Sequence, residues 1–340
     1  MNIFKLPPMN PSLQSSLSKL KFALGLNPKV ERTDNIGRFI PEPYKAVVLI
    51  QADFELAWAW RFSRNFSDSF GESEKIGLLE RDNIPQIIHL CDKYNIPVTW
   101  ATVGHLFLES CSVTNGFIHP EIKRLPYFEN KFWKYSKNDW FDSDPGTDVH
   151  KSPAWYCPDL IELIMQAKAK HEIGCHTFSH IDCRDEICSP EILESELEAC
   201  REVAEKKGIS LRSFVHPAHT IGNLKTLVKL GYTNYRTNYS KLLGYPIFHS
   251  EGIWELKNTT DFTWRKQWSA DYHVYRYCKI IERAIENRSV CVFWFHPSLD
   301  KEFIQYVMPG IFECLDNRKD SVKVLTSGEY VDFLNNTTKH

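Results

Sequence analysis

No run in this 340-residue sequence approaches the roughly 18 consecutive apolar residues that cross a bilayer as a helix. Residues 1–28 also lack the apolar core and small-residue cleavage site of a secretory signal, so the expectation is a cytoplasmic protein without a transmembrane segment. Charge of one sign is missing: the formal net charge is −2, which leaves no electrostatic footprint for DNA or RNA and removes nucleic acid from the expected partners. Cysteine is sparse, with ten in the chain, too few for a disulfide scaffold. In a reducing compartment these residues are expected as thiols buried like small hydrophobes.

What is present is ordinary globular composition, 43% hydrophobic and 25% charged, at a length that suits one large domain or two ordinary ones. The apolar run AVVLIQADF (Ala46 to Phe54) reads as a strand, followed by a helical pattern from about Glu74 to Tyr94. The alternation then recurs. Strands are predicted at Val98 to Gly104, EIGCH, SFVH, TNYRT, GIWEL, SVCVFWFH and SVKVL, with helices at Pro158 to Lys170, Ser189 to Lys206, Asn223 to Leu230, Asp271 to Asn287, Glu302 to Leu315 and from Ser327 onward. Strands that are apolar almost throughout, alternating with helices, imply a parallel sheet covered by helices, most simply closed into a barrel. Residues Leu13 to Leu26 are weakly amphipathic and are expected to pack on the body of the protein rather than on a membrane surface.

Parallel barrels place their active sites at the C-terminal ends of the strands. In this sequence those ends carry chemistry: Asp53 and Glu55 after the first strand, His176 and His180 after the third, His216 and His219 after the fourth, and His296 after the strand near Val290. One stretch, Cys111 to Tyr156, breaks the alternation. It is long, aromatic and rich in Asp, Pro and Gly, and is read as an insertion that covers substrate; its Asp142 and Asp144 are read as loop caps.

The densest cluster is HEIGCHTFSHIDC, His171 to Cys183. A zincin would need His171 and the next histidine four apart on one helix; His176 lies five away on a strand, so that reading fails. His176 and His180 are four apart, and a strand turning into a helix there would let both imidazoles face one point. A catalytic divalent metal also wants an oxygen ligand, for which Asp53 and Glu55 are candidates, since residues two apart on a strand face the same side. A structural Cys/His zinc using Cys175 and Cys183 competes, without the paired cysteines of a zinc ribbon.

HEIGCHTFSH resembles the H-[ST]-x-x-H motif of the polysaccharide deacetylase family (carbohydrate esterase family 4). Other motifs follow in family order: ADFELAW is similar to the first motif in a D-x-[DE] variant, FVHPAH occupies the place of R-x-P, TTDFTW corresponds to the D-W motif, and FWFHP to the late L-x-x-H motif. The resemblance spans about Lys45 to Leu334. It implies a deformed (β/α) barrel as a single catalytic domain, 45–334 with the insertion 111–156, preceded by an extension, 1–44, and followed by a tail, 335–340. Its site would hold a divalent metal, zinc first, with cobalt, nickel, iron and manganese as alternatives, on Glu55, His176 and His180. Asp53 would be the general base, His296 the general acid, Asp261 the residue that orients His296, and a backbone N–H after Pro217 an oxyanion donor. The family arginine that supports the base aligns with Val215, leaving His216, His219 or Arg212 to compensate.

The activity implied is removal of an N-acyl group, acetyl foremost, from an amino-sugar-containing small molecule or glycan. Trp58 and Trp60 stand where they could stack on a sugar ring, although core packing explains tryptophan as well. His216 and His219 are further substrate-contact candidates, with local turn bonding the other role for His219. Three other outcomes remain open: hydrolysis of another linear or cyclic amide, such as a formamide or an allantoinase-like substrate, with or without metal; a sugar-binding descendant without activity; and a two-histidine, one-carboxylate iron oxygenase, whose ligands usually lie closer in sequence.

Overall fold

The computed structural model describes residues 11–126, 139–237 and 241–337. The middle of the predicted insertion, 127–138, lies outside the described residues, as do 1–10 and 338–340.

Strands and helices alternate as β1 (Ala46–Phe54), α1 (Ser69–Tyr94), β2 (Thr99–Thr102), α2 (Pro158–Gln166), β3 (Glu172–Cys175), α3 (Pro190–Glu205), β4 (Ser213–Val215), α4 (Leu224–Lys229), β5 (Asn234–Thr237), β6 (Trp254–Lys257), α5 (Ala270–Glu286), β7 (Val290–Phe295), α6 (Met308–Asp316), β8 (Val322–Leu325) and α7 (Ser327–Thr337). α1 starts earlier than the periodicity predicts because the Asp68 carboxylate caps it, accepting the Gly71 N–H at 3.0 Å. It stops at Asn95, which takes the left-handed conformation of a helix C-terminus. The helix expected from Glu302 begins as a π turn, Phe303–Val307, and becomes α-helical at Met308; the next residue, Pro309, has no N–H to continue a regular ladder. Helix Pro11–Ala23 packs on the body, with Phe22 buried and the Ser15 hydroxyl accepting the Trp268 indole N–H at 2.7 Å.

The main sheet runs β7-β1-β2-β3-β4-β5-β6, all parallel, with the short strand Thr260–Asp261 beside β7 and an antiparallel pair, Ile247–Phe248, beside β6. β8 shares one edge of β1 with β2: it pairs Ala46 to Leu49, and β2 pairs Gln51 to Phe54. The sheet curls without a continuous ladder from β6 to β7. Instead the chain leaving β6 spans the gap, Thr259 N–H bonding the Val292 carbonyl at 2.7 Å while its hydroxyl accepts from Val292 N–H at 3.0 Å. The result is a deformed barrel.

The period of two along β1 sorts its side chains. Ala46, Val48, Ile50, Ala52 and Phe54 belong to the outer core with Ile84 and Ile87 of α1 and Ile281 of α5. Val47 and Leu49 face inward, against Trp254, Leu256, Val290 and Val292, and the barrel floor is closed by Tyr330, Val331 and Leu334 of α7. Above that apolar layer lies a polar one, in which the Gln51 amide donates to the Ser327 hydroxyl at 2.7 Å and Glu172 accepts from the Thr99 and Ser213 hydroxyls at 3.0 and 2.6 Å. The inward face of β1 therefore climbs from Val47 and Leu49 through Gln51 to Asp53, with Glu55 just past the strand end. Glycine is required where β3 meets β4: a Cβ on Gly174 would lie 2.9 Å from the Ser213 carbonyl oxygen, closer than packed strands tolerate. Gly174→Ala should therefore cost about 1–3 kcal/mol, an overpacking penalty, read as a lower urea midpoint; an unchanged midpoint would contradict this account of the strand approach.

Candidate metal centre and active site

Loops after β1, β3, β4 and β7 bring their polar residues to one cavity of about 260 Å³, lined by Asp53, Glu55, His176, His180, His219 and His296 and walled by Trp60 and Trp294. Glu55 lies at its centre and is buried. Its Oε2 is 3.1 Å from His176 Nε2 and 3.2 Å from His180 Nε2, and its Oε1 is 3.2 Å from His296 Nε2. Burial pushes the Glu55 pKa up, but His296 and the bonds from His176 and His180 outweigh it and hold the carboxyl far below its usual range. Burial pushes His180 down to about 4 against the pull of Glu55, so its ring is neutral at pH 7.

His176 and His180 do not meet on a helix. Thr177 and His180 adopt positive φ, 58° and 57°, and the chain turns within HTFSH by these two left-handed residues. The turn is pinned from three sides: Glu196 of α3 accepts from Ser179 N–H and hydroxyl at 2.8 and 2.6 Å, Arg61 donates to the Ser179 carbonyl at 2.9 Å, and Trp140 Nε1 donates to the Ser179 hydroxyl at 2.9 Å. On the β1 side, Glu80 of α1 accepts from the N–H groups of Glu55 and Leu56 at 3.0 and 3.3 Å, holding Leu56 at φ 47°. Burial, then the nearby Glu55 and Asp53 carboxylates, push Glu80 well above the ordinary carboxyl range, toward the neutral acid.

The donors fit a divalent cation. The Val215 carbonyl, which can only accept, lies 2.7 Å from His176 Nδ1 and fixes a proton there, so Nε2, which faces the Glu55 carboxylate at 3.1 Å, is the nitrogen that would offer a lone pair to a cation. One carboxylate oxygen and two imidazole nitrogens lie within 4.8 Å of one another, a set that zinc and its neighbours accept with positions left for water and substrate.

Asp53 is held differently. Arg236 of β5 grips it bidentately, Nη1 to Oδ1 at 2.7 Å and Nη2 to Oδ2 at 2.6 Å, with its guanidinium 4.7 Å from the Trp294 ring centroid. Burial raises the Asp53 pKa, and Arg236, with smaller contributions from His176 and His296, brings it below the usual value. Val215 and Arg236 are directly paired across β4 and β5, so the cation absent at Val215 is supplied by the neighbouring strand at the same level of the barrel. Two of the three residues considered as substitutes point elsewhere. Arg212 pairs with Asp332 at 2.8 Å on the protein exterior, and His216 turns its Nε2 to the Gly222 carbonyl at 3.0 Å. Sequence reasoning missed Arg236, although an arginine inside the strand TNYRT signals a buried partner.

Several expectations need correction. His216 is buried between the Phe214 and Tyr235 rings, outside the cavity lining, and burial lowers its pKa to about 3. Trp58 is also buried, its indole N–H on the Trp155 carbonyl at 3.2 Å, which leaves it no face for a sugar; Trp60 lines the cavity, edge-on to His296 at 5.4 Å. Asp261 sits beside β7, opposite Trp294, in an adjoining hollow that it shares with Trp60 and His296. Its carboxylate accepts from the Thr260 hydroxyl at 3.4 Å, and among the described residues it makes no bond to His296. His219 lines the cavity and lies edge-on to Trp294, its pKa lowered to about 4 by burial and then by Arg236.

The sequence matches no protein-family model and no curated protein. Solved structures do match. A Mycobacterium smegmatis protein assigned as a polysaccharide deacetylase is 13% identical with a TM-score of 0.58, over 88% of this chain and 93% of its own. A Pseudomonas aeruginosa PAO1 protein described as a probable polysaccharide deacetylase gives 13% and 0.58 over 88% and 94%. Puue allantoinase gives 14% and 0.57 over 89% and 94%. At such identity the likeness is one of fold, and the fold is the deformed (β/α) barrel shared by these proteins. Among the described residues no helix is long and apolar enough to cross a membrane.

Replacing Arg236 by Gln leaves Asp53 as an unpaired buried carboxylate, which should cost about 3–5 kcal/mol at neutral pH. The pairing lowers the folded-state pKa of Asp53, so its contribution is present above the unfolded aspartate value and is lost as pH falls through the folded one. Urea denaturation should show the gap between wild type and Arg236→Gln narrowing on acidification; a gap that stays constant would contradict the pairing.

Proposed function

We propose that the protein is a divalent-metal-dependent hydrolase of the polysaccharide deacetylase family that removes an N-acyl group, acetyl foremost, from an amino-sugar-containing substrate. The observation that carries this reading is the juxtaposition of the Arg236-clamped Asp53 with the Glu55, His176 and His180 donor set, and of His296 across the Glu55 carboxylate. When bound, the metal supplies Lewis acidity that activates water and polarises the acyl carbonyl. Asp53, kept ionised and aimed by Arg236, takes the proton of the attacking water. His296, about one-third exposed at the cavity edge, hands a proton to the departing amine. Ala218, in the cavity wall directly after Pro217, offers its N–H to the oxyanion. Trp60 and Trp294 provide the apolar walls against which a sugar ring can lie.

The cavity, about 260 Å³, suits one sugar residue and its acyl group better than a buried polymer segment. That size also suits a small linear or cyclic amide, and the fold shared with an allantoinase keeps this second reading in play. Product identification separates the two: acetate release from N-acetylated amino sugars supports the first, and turnover of ureide or formamide substrates supports the second. On the first reading His176→Ala and Asp53→Asn should lower kcat by about 10²–10⁴-fold, and chelation should abolish turnover until zinc or cobalt is restored, whereas full activity in chelated protein supports the second. Wild-type rates in both variants would sink the mechanism.

A further inference from the structure

A second cluster of metal-ligating side chains lies outside the cavity. His105 stands on the turn Gly104–Phe107 that follows β2, and Cys111, His119 and Asp144 come from the irregular stretch after it. Asp144 Oδ2 lies 2.8 Å from His105 Nε2 and 3.4 Å from His119 Nε2, and the Cys111 Sγ lies 3.3 Å from Oδ1. All four ligand atoms fall within 4.8 Å of one another. His105, His119 and Asp144 are 0%, 8% and 5% exposed.

Two further features favour a cation over a hydrogen-bonded network. Both imidazole Nε2 atoms are buried and, despite their closeness to Asp144, neither makes a hydrogen bond of acceptable direction. Both Nε2 atoms instead lie beside one carboxylate oxygen, at 2.8 and 3.4 Å, close enough for a single ion to take all three. Two other atoms of the cluster are held by neighbours: His105 Nδ1 lies 3.1 Å from the Trp155 carbonyl, which places the proton there and leaves the Nε2 lone pair inward, while Asp144 Oδ1 accepts from Gly146 N–H at 3.0 Å and from the Tyr156 hydroxyl at 3.1 Å. Asp144 is thus more than the loop cap its sequence context predicts.

We propose that His105, Cys111, His119 and Asp144 form a structural zinc site distinct from the catalytic one. One sulfur, two imidazole nitrogens and one carboxylate oxygen fill the four positions of a tetrahedral zinc and leave none open for water or substrate, as in a structural site. Zn²⁺ bonds to the Cys111 sulfur as the thiol proton leaves to solvent, and the two anionic ligands then neutralise the dication, so the buried site carries no net charge. The site ties the inserted stretch to the loop that holds the catalytic histidines. Gly104 and His105 N–H bond the Thr177 and Phe178 carbonyls at 2.9 and 3.0 Å, and the Phe178 ring lies 5.7 Å from that of His105 and 5.1 Å from that of His119. The ion would underpin the turn between His176 and His180.

The test uses the full chain, with zinc and cobalt as probes. His176→Ala/His180→Ala, which dismantles the catalytic donor set, should still hold one zinc per chain by elemental analysis and gain thermal stability on adding zinc. Adding Cys111→Ser should remove that zinc. Wild-type protein loaded with Co²⁺ should show a thiolate-to-cobalt charge-transfer band, which Glu55, His176 and His180 cannot produce, and Cys111→Ser alone should lose it. A double variant that holds no zinc, or a wild-type cobalt protein without the thiolate band, overturns the site. Failure of the catalytic reading appears separately, as Cys111→Ser protein that binds no metal although His176 and His180 are intact.

Discussion

Two carboxylates buried two residues apart at the top of β1 are the constraint around which this protein is organised. Asp53 and Glu55 are 4% and 1% exposed, and an ionised group in such a place is tolerated only with a compensating charge or donors of matching geometry. The chain compensates them by different means. Asp53 receives a rigid bidentate guanidinium from β5, and Glu55 receives three imidazole nitrogens from two other strand ends. A third carboxyl nearby, Glu80, avoids the problem by taking backbone N–H groups and moving toward its neutral form. Three carboxyls in one neighbourhood are thus accommodated in three ways, each set by its partners.

That arrangement demands unusual backbone. Leu56, Thr177, His180, Ala218 and His219 all sit at positive φ around the cavity mouth, and none is glycine. Such residues persist where the surroundings over-determine them, and here the surroundings are Glu80 beneath Leu56, and Glu196, Arg61 and Trp140 around Ser179. The inserted stretch is part of this support: Trp140 reaches the Ser179 hydroxyl and Trp155 accepts the Trp58 indole N–H. A metal on His105, Cys111, His119 and Asp144 would extend the same logic, replacing a hydrophobic anchor with a coordinated one beneath the HTFSH turn.

Element positions were legible in the sequence because they follow from local periodicity and caps. The apolar run AVVLIQADF, the prolines that open α2 and α3, and the periodicity of the helices place the main-sheet strands and the helices within a few residues. The gathering of Asp53, Glu55, His176, His180 and His296 was legible too, because a parallel barrel has one rim where strand ends meet. Orientation across strands was not. Whether Trp58 or Trp60 faces the cavity, and whether His216 points inward, depends on the single-residue phase of a chain that has just left its strand, and one step reverses the answer.

What the sequence alone determined is the parallel alternating architecture and the identity of the strand-end groups, since both rest on the period of the pattern and on the short range over which a chain sets its own backbone. The tertiary structure decided the partnerships. Arg236 reaches Asp53 because Val215 and Arg236 fall in register on adjacent strands, and Asp144 faces two histidines because a long irregular stretch folds back on the turn after β2. Register and loop return depend on contacts between residues far apart in the chain, and no local pattern specifies them.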